Sequence, residues 1–283
     1  MKKLMFAIAA VAAGTVLADV SSANIVGYQG LAPTAYEEGG ETLYYAYPNV
    51  GMTFKTVAEV PAGMPEGDYF KLGDTTVEGL DPMSGEFFYQ IFTDSCSVDS
   101  DSAIVYVSKE MSIAAVGDDS MMGWWDQFIT VPMNDALFPA GTAFIGSLGG
   151  SHDLTLQSAG EAKQGIININ ISGQAYPHMA NPVPRDIKFK EIVVVGMDPM
   201  SGEFFYQADQ RDCTVDSESA IVYVSEEMSI AAVGDDSMKG WWDQFISVPM
   251  DEELWHAGEC YLGSMGGNDG VVVTFPSATN VVD

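Results

Sequence analysis

Two tryptophan pairs are the residues of this sequence best suited to binding chemistry. Each pair is followed by an aspartate, and the two sets are Trp124, Trp125 and Asp126, and Trp241, Trp242 and Asp243. Neighbouring side chains of a β-strand point to opposite faces, so we predict one indole of each pair in a core and the other facing solvent or a groove. An exposed indole beside a carboxylate is a platform for stacking a sugar ring. The alternative is a purely structural role, in which both indoles are core aromatics covered by loop side chains.

Four short loops bring carboxylates and serines together. The candidate ligands for a hard cation such as Ca²⁺ are Asp99, Asp101, Asp118, Asp119, Asp216, Glu218, Asp235 and Asp236. Their spacing does not match the EF-hand loop. Asp and Ser are also ordinary turn formers that bond to their own backbone. The sequence therefore favours turn caps, leaves a calcium site open, and indicates no other cofactor.

Catalytic motifs are missing from the sequence. The three histidines, His152, His178 and His256, fall at positions that do not correspond between the repeated halves described below. There is no Gly-x-Ser-x-Gly elbow, His-Glu-x-x-His helix or phosphate loop. Paired carboxylates for glycoside hydrolysis stay open, because 40 acidic residues allow many pairings. We predict no catalytic residue, with a glycoside-active enzyme as the weakest alternative.

The chain has three cysteines, an odd number for an oxidising compartment. Cys96 and Cys213 are equivalent in the two halves, whereas Cys260 corresponds to Ala143. One bridge at most is open, either Cys213 with Cys260 inside the second half or Cys96 with one of the others. Geometry decides among them. No histidine accompanies the duplicated cysteine, so a catalytic thiol is not predicted.

These candidates belong to a duplicated module. Residues 81–133 recur as residues 198–250 at an offset of 117, with 43 of 53 positions identical. We place copy 1 at 24–160 and copy 2 at 161–283. If the Phe-Lys dipeptides upstream of the two blocks are aligned, copy 1 carries about 18 extra residues around 61–78, predicted to be a loop.

The elements that must position these residues are predicted to be strands. Ala103–Ser108, with its twin in copy 2, has the β-branched and aromatic composition of a strand. Phe87–Phe92 follows a Pro-Met-Ser-Gly turn in which Gly85 takes a positive φ. Ile167–Ile171 alternates strictly, so Asn168 and Asn170 are predicted on a solvated face. Short strands separated by Gly, Pro and Asp predict an all-β protein of two tandem β-sandwich or barrel-like modules.

The first residues have the pattern of a secretory signal peptide. Two lysines precede a short apolar run and small residues, which predicts cleavage after Ala18 or, alternatively, after Ala23. No later stretch has the roughly 20 apolar residues of a membrane span. The net charge of −29 makes nucleic acid and anionic membrane surfaces poor partners. We predict a secreted or periplasmic protein that does not insert into a membrane once the signal is removed.

Several short motifs carry a resemblance to a protein family. They are Ser-Ser-Ala-Asn-Ile-Val-Gly-Tyr (21–28), Ala-Gly-Thr-Ala-Phe (140–144), Leu-Thr-Leu (154–156), Ala-Gly-Glu (159–161) and Ala-Asn-Pro-Val-Pro (180–184). The chain thereby resembles the uncharacterised secreted β-rich proteins of Verrucomicrobia- and Lentisphaerae-type bacteria. Copy 1 departs from the pattern, with Tyr-Pro-Asn-Val where copy 2 has Asn-Pro-Val-Pro. The resemblance implies export and a repeated β architecture, and it assigns no catalytic residue.

Together these features predict an exported acidic repeat protein with a structural or interaction role at the cell envelope or outside the cell. The predicted partner is an envelope or extracellular protein or a glycan, and self-association stays open. The alternative is a carbohydrate-binding protein, assisted by Ca²⁺, that uses the Trp and Asp side chains named above.

Overall fold

The computed structural model describes residues 26–31, 35–38, 40–45, 47–51, 60–95, 97–149, 152–161, 165–212 and 214–278. The predicted signal peptide and the cysteines at 96 and 213 lie outside these ranges. Antiparallel strands dominate the described residues, which confirms the all-β prediction. None of the helices among them is long and apolar enough to cross a membrane.

Copy 1 is built from three packed sheets and a hairpin. Its elements are β1 (Val26–Leu31), β2 (Ala35–Glu38), β3 (Glu41–Tyr44), β4 (Asn49–Gly51), β5 (Tyr69–Lys71), β6 (Thr75–Glu78), β7 (Phe87–Ile91), β8 (Val98–Val107), helix α1 (Lys109–Val116), β9 (Gly123–Asp126), β10 (Leu137–Pro139), β11 (Ala143–Ser147) and β12 (Thr155–Glu161). The strand orders are β1-β12-β6, β10-β5 and β4-β11-β7-β8-β9, and β2 pairs with β3.

Copy 2 repeats this arrangement. Its elements are β13 (Ile167–Asn170), β14 (His178–Ala180), β15 (Ile187–Lys188), β16 (Val193–Val195), β17 (Phe204–Ala208), β18 (Val215–Val224), helix α2 (Glu226–Val233), β19 (Gly240–Asp243), β20 (Leu254–Trp255), β21 (Cys260–Ser264) and β22 (Val272–Phe275). The strand orders β13-β22-β16, β15-β20 and β14-β21-β17-β18-β19 correspond one to one with the sheets of copy 1. Each copy encloses its own apolar core.

Part of β8 forms where the sequence is rich in β-branched and aromatic residues, and β13 forms where the sequence alternates. The predicted strand Ala103–Ser108 lies within β8, whose Ile104 and Tyr106 point into the core of copy 1. In β13, Ile167 is buried while Asn168 and Asn170 are exposed, as the period-two pattern predicted. Alternation fixes the face because successive side chains of a strand point in opposite directions.

The Asp-Pro-Met-Ser-Gly segments form rigid turns. Asp81 accepts hydrogen bonds from the backbone of Met83 at 3.0 Å and from the hydroxyl of Ser84 at 2.7 Å. Gly85 has the predicted positive φ, 82°. The buried carboxylate of Glu86 accepts a hydrogen bond from the backbone of Asp81 at 2.7 Å, which closes the turn. Met83 at its tip is 82% exposed, as is Met200 in copy 2.

Backbone hydrogen bonds join the two copies in equivalent pairs. The N–H of Gly51 donates to the carbonyl of Gly258 at 3.0 Å, and that of Ala180 donates to Gly141 at 2.8 Å. Gly51 and Ala180 hold the same position in β4 and β14, and Gly258 and Gly141 are 117 residues apart in the repeat. Contacts that exchange partners in this way define a pseudo-two-fold axis, as in a symmetric dimer.

A second pair of bonds obeys the same symmetry. The N–H of Tyr47 donates to the carbonyl of Gln210 at 2.8 Å, and the N–H of Tyr176 donates to Thr93 at 2.7 Å. Between the two pairs the copies meet through small side chains. We call this contact the seam, and it contains Gly51, Ala143, Ala180 and Cys260. The copies are therefore held in one fixed orientation by backbone as well as side-chain contacts.

The sequence left one disulfide bridge open, and both possible partners of Cys260, the cysteines at 96 and 213, lie outside the described residues. Cys260 is a free, buried thiol. Its side chain packs against Ala143 and Ala180 in the seam, and its Sγ lies 3.4 Å from the carbonyl of Gly258. Burial raises the pKa of this thiol well above its usual value. The odd cysteine of copy 2 is thus a small packing residue of the seam.

Copy 1 contains an insertion, but its position and length differ from the prediction. Lys71 and Lys188 are equivalent, because each pairs with the leucine of the corresponding partner strand. They lie 117 residues apart whereas Gly51 and Ala180 lie 129 apart, so copy 1 has 12 extra residues between β4 and β5. The predicted 18-residue loop around 61–78 is wrong, because the Phe-Lys dipeptides used for that alignment are not equivalent.

The environment of His178 predicts that the stability of the protein depends on pH. Burial lowers the pKa of His178, on β14, to about 4, and its Nδ1 has no hydrogen-bond partner among the described residues. Below its ordinary pKa of 6.5 the unfolded chain binds a proton that the folded chain rejects, so stability falls as pH drops. Between pH 7 and pH 5 we expect the wild type to lose about 2 kcal/mol more free energy of unfolding than a His178→Asn variant.

Urea unfolding at the two pH values measures this difference. Asparagine is the residue that copy 1 carries at the equivalent position, 49, so the variant introduces the residue type that the repeat already has there. Parallel pH profiles for wild type and variant would contradict the prediction.

Candidate functional site

The first tryptophan of each pair lies in a core. Trp124 and Trp241 are fully buried, and their indole N–H groups donate to the carbonyls of Thr75 at 2.7 Å and Ile192 at 3.0 Å. The ring of Trp241 lies 5.1 Å from that of Phe189. These two indoles join β9 and β19 to the opposite sheets, and neither contacts solvent.

The second tryptophan of each pair lies on the outer face of the five-stranded sheet. Trp125 and Trp242 are half-buried, and their indole N–H groups donate to the carbonyls of Met121 and Met238, both at 2.8 Å. The predicted alternation of the two rings is therefore present in both copies. The N–H bond fixes the ring in one orientation, and the rest of the indole edge stays at the surface.

A cross-strand row extends this outer face. Val105 of β8 pairs with Trp125, and Phe87 of β7 pairs with Ser147 of β11. Phe87 is half-buried, and its ring makes an edge contact with Tyr89 at 6.0 Å. Each copy thus presents half-buried Phe, Tyr and Trp side chains on one sheet face.

The aspartates after the tryptophans hold a turn instead of facing a ligand. One oxygen of Asp126 accepts from the backbone N–H groups of Thr130 at 2.6 Å and Val131 at 2.8 Å, and the other accepts from the Thr130 hydroxyl at 2.6 Å. The hydroxyl bond holds the pKa of Asp126 below its usual value. Asp243 makes the same three bonds in copy 2. We call residues 126–131 and 243–248 the aromatic turns.

The aromatic turns carry unusual backbone and exposed rings. Ile129 and Ile246 have φ values of 54° and 53°, a region that β-branched residues rarely adopt. Such a conformation costs about 1–3 kcal/mol and persists only where the surroundings enforce it. Beside them, Phe128 and Phe245 are 74% and 78% exposed. Each copy therefore holds an exposed aromatic ring on a constrained turn.

Four of the eight carboxylates predicted as calcium ligands cap their own turns, and the other four, those of Asp101, Asp119, Glu218 and Asp236, lie on the same turns. Asp99 accepts from the backbone of Asp101 and Asp118 from that of Ser120, at 3.0 and 2.9 Å. Asp216 and Asp235 make the equivalent bonds in copy 2. Across the described ranges, no three Asp, Glu, His or Cys side chains gather into a group that could hold a metal. The turn-cap interpretation accounts for the four capping carboxylates, and calcium binding stays a prediction.

A cleft of about 510 Å³ opens between the copies. Copy 1 contributes the segment directly before β5, and copy 2 contributes the outer face of its three-stranded sheet. The lining residues are Glu66, Gly67, Asp68, Ile166, Asn168, Asn170 and Val272. No single stretch of sequence contains both walls, and the alternation in β13 predicted that Asn168 and Asn170 face solvent without indicating a cleft.

No protein-family model, curated protein or solved structure matches this chain. The resemblance carried by its short motifs therefore stays a prediction. The function has to be inferred from the side chains that the fold exposes.

Copy 2 also has a polar cluster that sequence reasoning missed. Burial raises the pKa of Glu259. Its carboxylate accepts hydrogen bonds from the side chain of Gln207 and from the backbone of His256, the latter at 2.8 Å. Both oxygens are thereby occupied in holding the turn at 256–259, whose Gly258 bonds copy 1 across the seam. We assign Glu259 a structural role in the contact between copies.

Proposed function

We propose that this protein is an exported, non-catalytic binding protein of the cell envelope or extracellular space, and that it contacts its partner through the two aromatic turns. The observation that carries the proposal is the pair of Phe side chains, 74% and 78% exposed, on turns that three Asp hydrogen bonds constrain. Because the backbone of each turn is already constrained, binding orders only the Phe side chain, and large aromatic side chains contribute much of the binding energy at protein interfaces. The signal-peptide pattern and the acidic charge support export and exclude polyanionic partners.

The test uses the purified mature protein and the isolated envelope fraction of the cells that export it. We expect the double variant Phe128→Ser/Phe245→Ser to bind the envelope about tenfold more weakly or worse, since hot-spot side chains each contribute about 2 kcal/mol or more. The Phe rings are exposed, so the variant should unfold at the wild-type denaturant concentration. Co-sedimentation over a range of envelope concentrations gives the affinity.

Methionines of equal exposure provide the matched control. Met83 and Met200 are both 82% exposed at the tips of the other duplicated turns. The Met83→Ser/Met200→Ser variant should bind as the wild type does. Equal binding by the Phe variant, or equal loss in the Met variant, would refute the aromatic turns as the contact.

Saccharide stacking on Trp125 and Trp242 is the second candidate function. It is favoured by the half-buried Phe87, Tyr89 and Trp125 on one sheet face. Envelope treated with protease distinguishes a protein partner from a saccharide. If the protein still binds the treated envelope, and the Trp125→Leu/Trp242→Leu variant binds it more weakly, the partner is a saccharide. The same assay is run once with Ca²⁺ and once with EDTA to test the predicted cation. If Ca²⁺ orders the acidic loops, the envelope affinity should be higher with Ca²⁺ than with EDTA.

A further inference from the structure

We propose that the cleft between the two copies is a binding site for a small neutral saccharide. The cleft, of about 510 Å³, is within the size range of small-molecule sites, and contacts between domains are where such sites commonly lie. It uses none of the residues of the aromatic turns. The site is therefore additional to the proposed contact with a macromolecular partner.

The wall from copy 1 is anchored at both ends. Glu66, Gly67 and Asp68 lie directly before β5, in the connection from β4 that is 12 residues longer in copy 1 than in copy 2. The hydroxyl of Tyr69 donates to the carbonyl of Pro65 at 3.1 Å, and the backbone N–H of Ala140 donates to the carbonyl of Asp68 at 2.7 Å. The carboxylates are thus presented from a segment whose backbone is fixed, as a preformed site requires.

The wall from copy 2 presents oriented amides. The Oδ1 of Asn168 accepts from the hydroxyl of Thr274 at 2.9 Å, and the Oδ1 of Asn170 accepts from the backbone of Ser172 at 3.0 Å. With both oxygens engaged, the two NH₂ groups are left as donors, and they have no partner among the described residues. Two amide donors therefore face a cleft whose other wall carries carboxylate acceptors.

This combination matches the chemistry of a sugar ring. Hydroxyl groups both donate and accept, so one sugar can donate to Glu66 and accept from Asn168 or Asn170. Val272 and the exposed Ile166 add an apolar surface for the C–H face of the ring. The carboxylates, in a chain of net charge −29, disfavour phosphorylated, sulfated or uronic sugars. The ligand class is thus a neutral mono- or disaccharide.

The experiment is a calorimetric titration of the mature protein with a panel of neutral sugars. The probes are glucose, galactose, N-acetylglucosamine, cellobiose and chitobiose, with glucuronate as the anionic counterpart of glucose. We expect at least one neutral sugar to bind at millimolar concentration or below. Asn168→Ala should weaken that binding by about tenfold because it removes an amide donor, and Glu66→Gln should weaken it by a similar factor because a neutral amide oxygen is a weaker acceptor than a carboxylate.

Two controls make the result specific. Glu227→Gln removes an exposed carboxylate on α2 outside the cleft, and it should leave sugar binding unchanged. The Phe128→Ser/Phe245→Ser variant should also bind the sugar normally, so that failure of the aromatic turns and failure of the cleft are separate results. The proposal is overturned if no neutral sugar binds, if the cleft variants bind like the wild type, or if glucuronate binds as tightly as glucose.

Discussion

Replacing Trp241 with alanine is expected to lower the free energy of unfolding by about 4 kcal/mol, the usual cost of truncating a buried tryptophan. Its ring is fully buried among Phe189, Phe205 and Tyr223, with centroid distances of 5.1, 5.8 and 5.4 Å. The substitution leaves a cavity and an unpaired carbonyl on Ile192, which the indole N–H now satisfies. Both losses act on the folded state alone.

The adjacent tryptophan is the matched comparison. Trp242 is half-buried, and its removal leaves a surface depression into which water can move, so Trp242→Ala should cost about 2 kcal/mol. Urea denaturation followed by far-ultraviolet circular dichroism measures both variants without relying on indole fluorescence. Equal losses of stability at the two positions would contradict the orientation of β19, in which Trp241 faces the core and Trp242 faces outward.

Adding one methyl group at Gly51 is expected to destabilise the protein by about 2–3 kcal/mol through overpacking of the seam. A Cβ built at Gly51 would lie 2.2 Å from the Cβ of Ala180, far inside contact distance. Neither atom can rotate away, because each is attached directly to the backbone. The two copies would have to separate or shift to accommodate both methyl groups.

The pseudo-two-fold axis supplies the control for this variant. Exchanging the two residues, in Gly51→Ala/Ala180→Gly, leaves one methyl group at the same place in the contact, so stability should return to within about 1 kcal/mol of the wild type. Thermal unfolding of the single and double variants gives the coupling between the positions. A double variant as unstable as Gly51→Ala would contradict the packing across the axis.

Local patterns predicted the parts of the fold that depend on near neighbours. The strand at Ala103–Ser108 follows from its β-branched and aromatic composition, the exposed Asn168 and Asn170 from alternation, and the positive φ of Gly85 from turn chemistry. Period-two alternation also required the two indoles of each pair to point to opposite faces of their strand. It could not say which of Trp124 and Trp125 enters the core, because the phase depends on the partner sheet.

Features that depend on distant residues could not be predicted. The false alignment of the Phe-Lys dipeptides placed the insertion too late, and only the pairing of Lys71 with β10 corrects it. The residues lining the cleft come from positions about 100 residues apart, with no local signal. The positive φ of Ile129 runs against its own preference and is imposed by the hydrogen bonds of Asp126.

The seam shows what joining two copies in one chain makes available. In a homodimer, a residue near the two-fold axis meets its own twin, so alanine at the position of Gly51 would have to face another alanine at 2.2 Å. A single polypeptide lifts this constraint, and here glycine faces alanine, while alanine and cysteine hold the other equivalent position. The tandem chain is in effect a heterodimer whose halves can diverge separately, so a cleft formed by the longer connection of copy 1 and the sheet of copy 2 needs no counterpart on the other side of the axis.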